Sequence, residues 1–289
     1  MASHLAQRLE PAHRRDQPFP HYVVPQALPD ELFARLVAEF PDDARVRRDQ
    51  PAGDNRRFSL SAPDALADPR ISLAWRETVL AHVGQDFLDG VLRALAGDIR
   101  ATYPDLEQRI GRPLAQWRAG VRRRDTFDTC EVLLDAQVCI NTPVLSAPSS
   151  VRGPHVDKPN KLFAGLCYLR PPSDTDTVGG ELLIYRWRDG RTRFDGAELE
   201  PRDVEVVSTV PYAGNTFVLF LNSLDALHGV TPRQPTPRTR WFLNLVGEVK
   251  VPLFDLKARQ RPLRGLRHAW MRVRDRLSGR HTDAGQRWD

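Results

Sequence analysis

The chain has 289 residues, 41% hydrophobic and 27% charged, with a formal net charge of +5. That length allows one large domain, or one domain with extensions, and enough chain for a sizeable core. The charge is uneven: Lys257–Arg280 carries nine Lys or Arg against Asp275 alone, a net +8, which leaves −3 for the rest. A slightly acidic body gives nucleic-acid binding no compositional support. Three cysteines without CxxC spacing (Cys130, Cys139, Cys167) argue against a zinc pattern or a disulfide framework and predict a reducing, cytoplasmic setting. There is no signal-peptide h-region at the N-terminus and no run of roughly 18 apolar residues.

In chain order, residues 1–17 are polar and read as a flexible N-terminus. Residues 18–125 read as a helical scaffold packing on the core. Pro18–Val24 is a short extended segment, and Pro29-Asp30-Glu31 opens a helix with its apolar stripe at Leu32, Leu36, Val37 and Phe40. Residues 42–70 show no clear period; within them Arg56-Arg57-Phe58-Ser59-Leu60 is either a surface connection or a substrate-side loop. From Ile71 to about Tyr103 the apolar residues return at helical spacing, with Leu73, Val79, Leu80 and Val83, then Phe87, Val91, Leu92 and Leu95. At Cys130 the pattern becomes strand-like. Cys130–Val144, Leu162–Leu169, Gly180–Trp187, Val204–Val210, Asn215–Leu221 and Arg240–Val251 read as strands, separated by turn signals such as Pro171-Pro172-Ser173-Asp174 and Ala213-Gly214. Helices followed by a train of short strands predict an α+β fold, with an antiparallel sandwich or barrel over residues 126–254.

The chemistry centres on Gly153-Pro154-His155-Val156-Asp157-Lys158-Pro159-Asn160. In extended chain, residues i and i+2 share a side, so His155 and Asp157 face one cavity while Val156 packs the other way. His228, in Leu227-His228-Gly229-Val230, supplies a third ligand from a later strand end. Two His and one carboxylate that leave several positions open suit a non-haem Fe(II) centre. Asn141 and Gln137 share one face of the preceding strand; they either reach the metal-proximal end of the cavity or remain polar residues of a sheet surface. Gly179-Gly180 reads as a structural bend.

Taken with its surroundings, this stretch resembles the prolyl-hydroxylase-like branch of the Fe(II)/2-oxoglutarate-dependent oxygenases. The shared pattern starts at His155-Val156-Asp157-Lys158-Pro159-Asn160 and continues through Tyr168-Leu169, Gly179–Tyr185 and Asn215–Phe220. It closes with His228, Val230, Pro232 and Arg238 ahead of an apolar strand, covering roughly Cys130–Val249. The resemblance implies a double-stranded β-helix (jelly-roll, cupin-like) core backed by N-terminal helices, with Fe(II), 2-oxoglutarate and O2 as the reacting set. It implies His155, Asp157 and His228 as iron ligands, Arg238 as the clamp on the distal carboxylate of 2-oxoglutarate with Arg240 in reserve, and Tyr168 as a hydrogen-bond partner of that cosubstrate. Related halogenases carry a small residue where this chain has Asp157, so the resemblance implies hydroxylation, with desaturation or cyclisation as variants. Substrates expected from it are a small molecule or a carrier-bound intermediate, with a prolyl peptide or a sugar as alternatives. A non-enzymatic β-barrel that binds a metal or ligand is the competing class.

Residues 255–289 form a basic C-terminal tail in which Leu263, Leu266, Trp270, Val273 and Leu277 recur at helical spacing among arginines. Such a helix packs on the body, pairs two subunits in a homodimer, or meets an acidic partner or an anionic membrane surface.

Overall fold

In the computed structural model, which describes residues 4–189 and 198–256, the chain coils where its apolar period is near 3.6 and extends where it is two. The helices are α1 (Asp30–Ala38), α2 (Asp43–Val46), α3 (Ala62–Ala67), α4 (Leu73–Ala81), α5 (Gln85–Thr102) and α6 (Leu106–Ile110). The side chain of Ser72 starts α4 by accepting from the Trp75 amide at 3.4 Å, and Asp42 caps α2 in the same way at 2.7 Å. Along α5, Phe87, Leu88, Val91, Leu92, Leu95 and Ile99 fall on one buried face.

The strands are β1 (Arg14–Arg15), β2 (His21–Val24), β3 (Arg57–Leu60), β4 (Ala119–Val121), β5 (Val132–Asn141), β6 (Lys161–Tyr168), β7 (Leu182–Trp187), β8 (Val204–Val210), β9 (Thr216–Leu221), β10 (His228–Val230) and β11 (Arg240–Val249). They build a mixed α/β architecture with two sheets. The large one runs β1-β2-β9-β6-β11-β5-β3, with β4 added parallel to β5, and the small one runs β10-β7-β8. Single antiparallel bridges extend the small sheet, His155 to His228 and Glu198 to His155.

Alternation along the central strands sorts side chains between two cores. In β9, Phe217, Leu219 and Leu221 join the core under the helices, while Val218 and Phe220 join the one between the sheets. In β5, Leu134, Ala136, Val138 and Ile140 face the helices. The opposite face of β5 and β11 carries Gln137, Asn141, Arg240, Phe242 and Asn244, and it lines a cleft of about 440 Å³. A helix-backed sheet thus leaves one face free for polar chemistry.

Three expectations change here. Residues 4–15 are not loose: Leu5 is fully buried, its amide donates to His82 Nε2 at 3.0 Å, and Ala6 lies against Gly90 of α5. The segment 18–125 is more than a helical scaffold, because β2 and β3 supply strands at the two sides of the large sheet. Arg57–Leu60 is a strand on β5, with Phe58 and Leu60 buried and Arg57 lining the cleft, rather than a connection or a loop. No helix among the described residues is long and apolar enough to cross a membrane. The expected helix at Leu263–Leu277 lies outside the described residues.

Candidate metal centre

His155 and His228 are 73 positions apart, yet they form an antiparallel pair: the His155 amide donates to the His228 carbonyl at 2.9 Å, and the return bond is 3.0 Å. Their rings are 4.1 Å apart between centroids. Asp157 shares the side of His155 through the two-residue strand period, while Val156 packs away with Tyr185, Trp187 and Leu227. The ligating atoms of His155, Asp157 and His228 all lie within 4.8 Å of one another, and all three residues are buried.

Hydrogen bonds fix which nitrogen of each imidazole is available. Nδ1 of His155 is 2.8 Å from the Gly153 carbonyl oxygen, and Nδ1 of His228 is 3.0 Å from that of Ala226. Each Nδ1 therefore carries the proton and donates, leaving the Nε2 lone pair for a metal. Burial, the neighbouring His228 and Arg152 push His155 well below the usual imidazole range. Burial also lowers His228, with Asp157 opposing. For Asp157, burial pulls the carboxyl up, but Lys161, His228, His155 and Arg152 together hold it well below the usual carboxylate range. Neutral imidazoles beside an ionised carboxylate are the protonation states that metal ligation needs. Lys161 Nζ lies 3.0 Å from Asp157 Oδ1 and Arg152 3.7 Å from it, so the carboxylate is positioned from outside the ligand cluster.

The two arginines expected near the cosubstrate sit in different surroundings. Arg238 precedes β11, is partly exposed, and ion-pairs with Asp176 at 2.7 Å and Asp174 at 3.7 Å, away from the cleft lining. Arg240, the reserve candidate, is 3% exposed and lines the cleft. Its Nε donates to the Gly180 carbonyl at 3.0 Å and its Nη1 to Asn141 Oδ1 at 3.2 Å. Its guanidinium carbon lies 4.9, 4.8 and 4.8 Å from the ring centroids of Tyr168, Tyr212 and Phe242. Strand phase separates the two arginines: Arg240 is the first residue of β11, opposite Asn141, whereas Arg238 follows Pro237 outside the ladder.

Around Arg240 the buried polar groups are under-satisfied. Asn141 Nδ2 and the Tyr168 hydroxyl are buried without a hydrogen-bond partner. Burial pushes the Tyr168 phenol up, with Arg240 opposing, so it stays protonated and able to donate. Two orphaned donors beside a caged guanidinium fit an incoming carboxylate. Gln137 lines the cleft, but its amide is occupied, donating to Asp135 at 3.0 Å and accepting from Asn244 at 2.7 Å. These bonds brace it on the cleft floor.

Two further residues carry the arrangement without having been singled out. Arg233 is 2% exposed and donates to the carbonyls of Thr142 at 2.9 Å and Asn141 at 3.4 Å, tying the segment before β11 to the end of β5. Burial brings its pKa down to about 10. Gly180, read only as a bend, takes φ +88°, and a Cβ there would sit 3.2 Å from the Arg240 side chain. The bend therefore presents a carbonyl to Arg240 while leaving room for it.

No family model matches the chain, and neither does any curated protein. Among solved structures, it is similar to a Pseudomonas putida prolyl-4-hydroxylase at 17% identity, covering 86% of this chain and 100% of that one, with a TM-score of 0.40. It is also similar to a Trichoplax adhaerens prolyl hydroxylase in complex with a hypoxia inducible factor peptide fragment, at 12% identity, covering 85% and 88%, with a TM-score of 0.37. A third is the non-haem alpha ketoglutarate dependent epimerase SnoN from nogalamycin biosynthesis, at 15% identity, covering 90% and 89%, with a TM-score of 0.39.

Proposed function

We propose that this chain is an Fe(II)- and 2-oxoglutarate-dependent oxygenase with a double-stranded β-helix core, hydroxylating an unactivated C–H bond of a small or carrier-bound molecule. One observation carries the reading: a buried His-Asp-His cluster, a caged arginine and the unpartnered Asn141 amide line one cleft, with the unpartnered Tyr168 hydroxyl on a ring beside that arginine. The strand orders β9-β6-β11-β5 and His155-β10-β7-β8 support the core, because among these strands the chain passes back and forth between the sheets, with only the β7–β8 hairpin staying within one.

With iron and 2-oxoglutarate bound, the pair would turn O2 into an oxidant strong enough for C–H bonds, one oxygen atom leaving in succinate as CO2 is released and the other going to the substrate. This chain's residues hold, orient and shield. His155, Asp157 and His228 offer three protein ligands and leave the cleft side open for small ligands. Arg240 pairs with the far carboxylate, while Tyr168 and Asn141 add hydrogen bonds that fix its rotation. Phe242 and Phe220 line the same cleft and displace water from the reacting end. A cleft of about 440 Å³ holds a cosubstrate and a small second molecule.

Succinate release from 2-oxoglutarate, screened over candidate substrates with mass spectrometry for a gain of about 16 daltons (one oxygen atom), tests this reading. The expected result is iron-dependent succinate that disappears in Asp157→Ala. Bound iron without succinate under any condition would favour the non-enzymatic binding protein.

A further inference from the structure

The cleft is far more basic than the body that encloses it. Nine Lys or Arg line it against three carboxylates, although the chain outside the tail is net acidic. Several of those cations have structural partners: Lys161 and Arg152 approach Asp157, Arg122 meets Glu248 at 3.1 Å, and Arg48 is paired with Asp64. Arg57 differs. It has no carboxylate within 4 Å among the described residues, and although the residue is exposed its guanidinium rests against the cleft. Its guanidinium lies 5.1 Å from the centre of the Phe242 ring, with Nη2 3.7 Å from Cys139 Sγ, on the cleft floor.

Its position is set by register. Arg57 of β3 stands opposite Asn141 of β5, which stands opposite Arg240 of β11, so the three side chains form one row across the sheet on the cleft face. Both guanidinium carbons lie near the same Phe242 ring, so they are no more than about 10 Å apart. Arg240 is buried and held by Gly180 and Asn141, whereas Arg57 comes from the exposed edge strand. One cationic end is thus closed in and the other faces the mouth. The two charges of 2-oxoglutarate are met by the metal and Arg240, which leaves Arg57 and its neighbour Arg56 unmatched. An arginine fork over a low-dielectric floor is a site for a planar or tetrahedral oxyanion.

We propose that Arg57 is the specificity residue for the second substrate, and that this substrate carries a carboxylate or phosphate bound at the β3 side of the cleft. The inference rests on the oxygenase reading for the word substrate, though the anion site itself does not depend on it. A neutral or cationic molecule would leave the row of arginines uncompensated.

The test is a calorimetric titration of the full chain, loaded with Mn(II) and saturating 2-oxoglutarate, using benzoate, phenyl phosphate and benzyl alcohol as probes. Saturable binding of at least one anion and none of benzyl alcohol is expected, with the tighter anion separating carboxylate from phosphate. Arg57→Gln weakens that anion roughly tenfold or more. Arg57→Lys restores part of the loss, and the half-saturating 2-oxoglutarate concentration stays as in the wild type. Benzyl alcohol binding as tightly as the anions overturns the proposal, as does anion affinity unchanged in Arg57→Gln. So does the absence of saturable anion binding. Titrating 2-oxoglutarate itself into the Mn(II)-loaded chain keeps the two readings apart. Anion binding through Arg57 without any 2-oxoglutarate binding to that loaded chain sinks the oxygenase reading alone, and the reverse sinks this inference alone.

Discussion

The Arg240 guanidinium is held in place before any ligand arrives, because two hydrogen bonds and three aromatic rings set its plane. Preorganisation of this kind lowers the ordering cost of binding. Losing a charge-assisted contact of ~1.5–3 kcal/mol should raise the half-saturating 2-oxoglutarate concentration of Arg240→Gln by one to two orders of magnitude. Arg238→Gln should stay within about twofold, since its partners Asp174 and Asp176 lie outside the cleft lining. Steady-state succinate assays on the two variants check both. Gly179 takes φ +89°, and a Cβ there would meet the Pro232 carbonyl oxygen at 2.1 Å. Gly179→Ala is therefore expected to cost more than ~1 kcal/mol of stability, read from urea unfolding midpoints. The metal triad was legible because His155 and Asp157 sit at strand spacing and His228 has a distinctive neighbourhood. Which of Arg238 and Arg240 lines the cleft was not, because one needs to know that the ladder begins at residue 240, and spacing from His228 says nothing about that.

At the scale of elements, short segments from the N-terminal third finish the large sheet and were the hardest to foresee. β3 offers only Phe58 and Leu60 as an alternating signal inside a charged, aperiodic stretch, too few residues for a period to show. The long strands β5, β9 and β11 were readable because each runs through many consecutive β-prone residues. The segment around Leu5 looked polar by composition, and its anchoring depends on a partner 77 residues away, His82. That histidine is fully buried, accepts from the Leu5 amide and keeps its proton on Nδ1 toward Thr78. Burial lowers its pKa from 6.5 to about 4. A histidine depressed in the folded state binds fewer protons there than in the unfolded chain. Its contribution is therefore intact above pH 6.5 and is lost as pH falls toward 4, by up to ~3 kcal/mol. His82→Gln should flatten the fall in thermal midpoint between pH 6.5 and 4.5 relative to the wild type, measured by circular dichroism melts. A parallel pH dependence in both proteins would remove this role.

For the whole molecule, net charge and its arrangement carry different information. Summing residues makes the body outside the tail slightly acidic, yet the fold gathers cations from β3, β11 and the loop around Lys158 into one cleft. Composition cannot show that convergence, since it depends on which strand edges meet. Closing two sheets around that cleft also makes the His155–His228 pair a link between β10 and the segment at His155. A divalent ion binding only the folded chain should then raise stability by ~2.7 kcal/mol at a concentration 100 times its dissociation constant, and a chelator should reverse the rise in thermal midpoint. Asp157→Ala should show little rise.

The central claim joins the triad and Arg240 into one bidentate-ligand site, and an anaerobic calorimetric titration of 2-oxoglutarate, with and without Fe(II), addresses it directly. The account predicts one binding site per chain that needs the metal, is abolished in His228→Ala, and is weakened in Arg240→Gln with metal binding retained. Equal affinity with and without iron, or unchanged affinity in both variants, would contradict it.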